Sequence, residues 1–163
     1  MSWLLEQLRK YKDDRGMMAN LQCIFVDSKK HRAWPALSRL GIKINDDVQS
    51  YVAGLYAAHP EEAAEGNMGL TCKYIERDRG EKQGDDNKLT PTERRFQHLL
   101  TAEKGDELYG RVLRMVLMAK SAKGISVNYA QLENDLKFWN ARTKTEWAES
   151  FWNYEKKSSE GGA

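Results

Sequence analysis

In segment after segment of this 163-residue chain, apolar residues recur three and four positions apart, and no stretch sustains alternation at period two. A helix returns a side chain to the same face every three or four residues, a strand every two, so this spacing predicts an all-α fold. Residues 1–12 put Trp3, Leu4 and Leu8 on one side, and residues 17–26 read as a second, largely buried helix. Residues 32–40 carry Trp34, Leu37 and Leu40, with Pro35 in the first turn and Gly41 as a stop. Residues 46–59 open with acidic side chains, which suit a helix N-terminus. Their stripe is Val48, Val52, Leu55, Tyr56 and His59, and Pro60 ends it. Residues 67–77 form a weaker helix.

Residues 78–89 hold two glycines and many charges, and they are the best linker in the chain. They divide it into an N-terminal part, 1–77, and a C-terminal part, 90–157, followed by a polar tail, 158–163, whose Gly/Ser composition predicts disorder. The C-terminal part opens on LTPTERRFQHLLTA. Thr90 suits an N-cap, Pro91 the first helical position, and Glu93 can reach back to the cap's own N–H as a capping box. Phe96, Leu99 and Leu100 make the buried stripe. At about 100° per residue, Arg94 falls nearly opposite it and Arg95 on its flank. Residues 106–123 follow, with Leu108, Val112, Leu113, Val116 and Leu117 inside and Arg111 and Arg114 off the stripe. Asn128 caps residues 129–141, whose stripe is Tyr129, Leu132, Leu136 and Trp139. Thr143 with Glu146 forms a second capping box for a last helix carrying Trp147, Phe151 and Trp152.

Catalytic chemistry finds no foothold. The three histidines, His31, His59 and His98, are scattered and pair with no cysteine at metal-ligand spacing. Glu61, Glu62, Asp85 and Asp86 lie in polar loops, whereas a metal-dependent nuclease needs carboxylates on rigid elements. No phosphate-binding glycine motif and no triad is present. Trp139, Trp147 and Trp152 could stack on bases, but their helical spacing points to core. The expectation is therefore no catalytic residue, metal or cofactor. No apolar run reaches the length of a membrane span and no secretory signal stands first, so a cytoplasmic protein is expected. Cys23 and Cys72 then read as buried free thiols.

What remains is basic groups on outward faces. Arg94, Arg95, Arg111 and Arg114 form one cluster; Lys29, Lys30, Arg32 and Arg39 form another; Lys73, Lys120 and Lys123 add to them. The net charge is only +2, so any polyanion site must come from segregating charge onto faces. For Arg94 and Arg95 two readings stand: a solvated face with i,i+4 ion pairs, or a guanidinium pair that holds phosphate.

The order RAWPALSRLG, YVAGLYAAHP, TERRFQHLL, ISVNYAQLENDLKFWN and WAESFW, over about residues 30 to 152, resembles the CasB family, the small subunit of the type I-E CRISPR Cascade complex. The resemblance implies two small helical bundles joined by a loop and no catalytic activity. It implies partners: the crRNA-bearing backbone subunits (CasC), the large subunit (CasA), a second copy of the chain, the crRNA, and the target and non-target DNA strands. Arg94 and Arg95 match the arginine pair of the family's E-R-R motif, and Arg114 matches its basic position on the next helix, with Arg111 a neighbour. Lys29, Lys30, Arg32, Lys73, Lys120 and Lys123 complete the expected nucleic-acid set. The chain departs from the family where Cys23-Ile24-Phe25 stands in place of a second arginine pair, so that contact is absent or moved to Lys29, Lys30 and Arg32. A purely structural adaptor, whose basic groups pair with acidic neighbours and never touch DNA, is the alternative.

Overall fold

The computed structural model describes residues 2–80, 88–122 and 124–153. Helix α1 (Trp3–Lys10) begins where the Ser2 hydroxyl accepts from the Leu5 amide, and α2 (Arg15–Gln22) begins at an Asp14 cap. The second helix therefore starts and stops earlier than its sequence suggests. From Cys23 to Phe25 the chain tightens into a 3₁₀ turn. The reason lies in α4 (Asp47–Ala58). A Cβ on its Gly54 would stand 2.6 Å from Ile24, so the turn occupies space that only glycine leaves open. A second 3₁₀ turn, Lys30–Arg32, leads into α3 (Ala33–Arg39), and Gly41 stops it with a left-handed φ of 82°.

The sequence stripe on α4 becomes a nearly complete cylinder, since every residue from Ser50 to Ala58 is buried. The reason is its position, with α1, α2, α7 and α8 packed around it. Helix α5 (Met68–Arg79) is capped by Asn67 and ended by Gly80 in the left-handed conformation. Residues 81–87, the centre of the expected linker, and the expected tail 158–163 lie outside the described residues.

Helices α6 (Pro91–Leu100), α7 (Asp106–Ser121), α8 (Tyr129–Lys137) and α9 (Ala141–Phe151) follow. The capping box on α6 is complete. The expected boundary between the last two helices is corrected. Helix α8 stops at Lys137, and α9 is capped by Asn140, not Thr143. Asn140 accepts from the Thr143 amide, and the Thr143 hydroxyl instead donates to the Phe138 carbonyl at 2.7 Å, a carbonyl at the end of α8. Trp139 therefore sits in the junction, its ring 4.8 Å from that of Trp147.

Among the described residues the fold is all-α, and its one β feature is an isolated parallel bridge between Glu62 and Val127. Buried residues before and after residue 80 belong to one core cluster. Helix α5 lies against α9, and the Tyr129 hydroxyl of α8 donates to the Leu55 and His59 carbonyls that end α4. Three apolar residues depart from expectation: Trp3, Trp34 and Leu117 are each more than a third exposed, while Met115 and Ala119 fill the inward positions of α7.

Candidate nucleic-acid interface

Helix α6 is held from behind. Glu93 accepts the Thr90 amide with one carboxylate oxygen and the Trp152 indole N–H with the other, at 2.8 Å each. Phe96 stacks on Phe151 with ring centroids 4.5 Å apart. These contacts come from the buried side of the helix and fix its rotation about its own axis. Arg94 consequently projects from the far side and Arg95 from the flank, and both are exposed. Among the described residues no hydrogen bond or ion pair engages either guanidinium. The i,i+4 ion pairs that a solvated charged face would use are not made: position 98, four residues after Arg94, is histidine, and Leu99 follows Arg95.

The other expected cations fall into three situations. Arg111 turns inward: it donates to the His98 carbonyl at 2.6 Å and to the Thr101 hydroxyl at 3.1 Å, with Glu107 at 3.7 Å. His98 lies in the last turn of α6, where its carbonyl also accepts the Thr101 amide at 3.1 Å and the Thr101 hydroxyl at 2.7 Å, so Arg111 adds to the cap of α6 and ties it to α7. Lys73 is 6% exposed, and its ammonium donates to the Asn153 carbonyl at 2.7 Å, just beyond α9. Lys30 stands 5.6 Å over the Tyr51 ring, and Tyr51 in turn donates to Asp106 at 3.1 Å. Its pKa is raised, first by the hydrogen bond with Tyr51. Burial in turn pushes the Tyr51 hydroxyl up.

Arg114 and Lys120 on α7, and Lys29 and Arg32 beside the second 3₁₀ turn, are exposed. Lys123 lies outside the described residues. The structure thus joins Arg94 and Arg95 to α7 through Arg111. It ties Lys30 to α4 and α7 through Tyr51 and Asp106, a link with no signal in the sequence because it depends on tertiary packing alone. Glu93 was legible as a capping residue, but not as the acceptor for Trp152.

The remaining titratable groups are structural. Burial raises the Cys72 thiol well above its usual range, and Cys72 is fully buried, whereas Cys23 is partly exposed. His59 ends α4, with Nε2 2.7 Å from the Ile125 carbonyl. Among the described residues no group of three His, Cys, Asp or Glu side chains stands where it could hold a metal ion, and no helix is long and apolar enough to cross a membrane.

Residues 7–152 match the family model for the CRISPR-associated protein Cse2. The chain belongs to the Cse2 family of CRISPR-associated proteins. Solved structures agree on the fold. A Cse2-family CRISPR-associated protein from Thermus thermophilus superposes with a TM-score of 0.71 at 17% identity, over 93% of this chain and 96% of that one. A second structure, CasB from Thermus thermophilus, gives 0.68 at 16% identity, with the same coverage. M. ruber CasB gives 0.57 at 20% identity, over 100% of this chain and 91% of that one. No curated protein matches the chain in sequence.

Proposed function

We propose that this chain is the non-catalytic small subunit of a type I-E Cascade complex. In this reading it lies along the crRNA-bearing CasC backbone and against CasA, beside a second copy of itself. Arg94 and Arg95 hold phosphates of the DNA strands opened by the guide. The observation that supports this is the pair itself: two guanidiniums without a partner among the described residues, on a helix whose rotation is fixed from behind. A guanidinium fork matches phosphate geometry, and such contacts carry no sequence information, which base pairing with the guide already supplies. Lys120, Lys29 and Arg32 are exposed and extend the same capacity.

The magnitudes fit. Opening the duplex is nearly balanced in base-pairing energy. An exposed charge contact is worth about 1 kcal/mol or less, so two to four of them shift the open fraction by about one to three orders of magnitude. Each phosphate neutralised also adds about 0.9 to the slope of log K against log salt.

The test is a gel-shift titration of reconstituted Cascade on matched double-stranded target at low and moderate salt, with wild-type chain, with Arg94→Glu/Arg95→Glu, and without the chain. The expected result is weaker R-loop formation in the last two and a shallower salt slope in the double variant, at unchanged melting temperature. R-loop lifetimes equal to wild type in the double variant would sink the reading. In that outcome the structural adaptor stands, for which Arg114, at the edge of an apolar groove, is the better-placed cation.

A further inference from the structure

We propose that the solvent face of α7 seats a helix from a partner protein, which lays an apolar ridge across Gly110 and Leu117 and presents a carboxylate to Arg114. The surface is a depression of about 440 Å³ lined by Gly110, Leu113, Arg114, Leu117 and Met118 of α7, with Arg79 from the end of α5. Leu117 is 42% exposed there, on a helix whose other face is fully buried.

Gly110 is the independent observation. It lies inside α7, with no left-handed φ to require glycine, and glycine weakens a helix relative to alanine. Two other helical glycines, Gly54 in the middle of α4 and Gly69 in the first turn of α5, have a reason on the inside, whereas Gly16 in the first turn of α2 meets only the Asp14 side chain, at 3.6 Å. A Cβ on Gly54 would meet Ile24 at 2.6 Å, and one on Gly69 would meet the Trp147 carbonyl oxygen at 2.0 Å. A Cβ on Gly110 would meet nothing within 4 Å among the described residues. Internal packing therefore does not account for this glycine. Close approach by an outside backbone does, and small residues are what let two helices come together.

Chemistry selects the occupant. The lining carries arginine and no acid, so the partner's complement is a carboxylate. A phosphate backbone would satisfy Arg114 but gain nothing from Leu113, Leu117 and Met118, whose burial requires apolar side chains. One acidic patch of a second copy, at Glu146 and Glu149, itself lines a groove, of about 730 Å³, and cannot fill this one; the crosslink at position 117 separates the copy's other acidic faces from a different partner. A protruding helix with one acidic edge fits both the depression and the charge. The inference rests on the chain's acting inside a multi-subunit complex, not on phosphate contacts by Arg94 and Arg95, so the two can fail separately.

The experiment uses the full chain reconstituted with purified Cascade subunits. Gly110→Leu and Leu117→Glu are each expected to lower incorporation affinity at least tenfold. Gly110→Leu should melt at or above the wild-type temperature, since its side chain meets open space. Arg114→Glu should also weaken incorporation. With p-benzoylphenylalanine at position 117, the crosslink should map to a helical segment of another subunit that carries Asp or Glu. Wild-type incorporation of Gly110→Leu and Leu117→Glu would overturn the proposal, as would a crosslink to nucleic acid or to a second copy of this chain.

Discussion

Lys73 and Arg94 are both cations on well-formed helices, and the fold uses them in opposite ways. Lys73 lies in the seam where α5 meets α9, with its ammonium on the Asn153 carbonyl. Arg94 lies on the outer line of α6, with no partner among the described residues. The seam is closed by backbone: the space where a Gly69 Cβ would stand is filled by the Trp147 main chain. Among the described residues the outer line of α6 is exposed, at Pro91, Arg94 and His98. A cation's work is thus set by whether another helix covers its face, and its own helix does not carry that information.

The strongest way to break the contrast is to open the seam. Gly69→Ala puts a methyl group 2.0 Å from a carbonyl oxygen that cannot rotate away. Overpacking against backbone should cost at least about 3 kcal/mol, enough to lower the melting temperature by roughly 10 °C or to prevent folding. Circular dichroism of the variant decides it. A melting temperature within a few degrees of wild type would mean that α5 and α9 are not locked as described.

Next in size is Lys73→Met, which keeps the length of the side chain and removes the charge. It leaves the Asn153 carbonyl without its ammonium, a loss of about 1–3 kcal/mol at a buried site. Urea denaturation should show that loss, while the salt slope of R-loop formation in the reconstituted complex stays at its wild-type value. A shallower slope with unchanged stability would move Lys73 from the seam to the DNA.

These two residues mark what the sequence could reveal. The Thr90 cap, the Glu93 return bond and the outward line of Arg94 were legible, because each depends on neighbours within four residues along one helix. Lys73 and Arg111 read as outward cations for the same reason: a helical wheel gives a face, but not what covers it. The covering groups, Asn153 for Lys73 and the His98 carbonyl for Arg111, lie 80 and 13 residues away. The α8–α9 junction was missed differently. Asn140 and Thr143 are both good caps, three residues apart, and the choice fell to Asn140 because the Thr143 hydroxyl is needed by Phe138. Leu117 misled for a third reason: apolar spacing predicts burial, and α7 carries apolar residues on more of its circumference than this chain covers.

Arg111 sharpens the comparison, because it stands between the two cases. Arg111→Ala removes two hydrogen bonds at the end of α6, at a cost of about 1 kcal/mol at this partly exposed site. Amide exchange should quicken from residue 98 to residue 105. R-loop affinity should fall because Arg94 and Arg95 are less well held, but the salt slope should not change, since no phosphate contact is lost. A slope lower by about one unit would show that Arg111 touches phosphate directly.

The smallest effect tests the contact between α8 and α9 by titration. Asp135 accepts from the Trp147 indole and from Gln131, at 2.8 Å each. Burial raises its pKa, and the two hydrogen bonds oppose the rise only in part. A carboxyl whose folded pKa lies above its unfolded one contributes stability below the unfolded value, about 3.9 for aspartate. That contribution is lost as pH climbs through the folded pKa. Asp135→Asn keeps one acceptor for Trp147, and the exposed Gln131 amide can flip to receive the new NH₂. Wild type should therefore lose stability relative to the variant as pH rises through the carboxylate range, and the difference should then stay flat to neutrality. Urea midpoints of both proteins from acid to neutral pH measure it. A relative gain for wild type over that range would reverse the sign, and would mean that the hydrogen bonds from Trp147 and Gln131 outweigh burial, making the ionised Asp135 a net brace between α8 and α9.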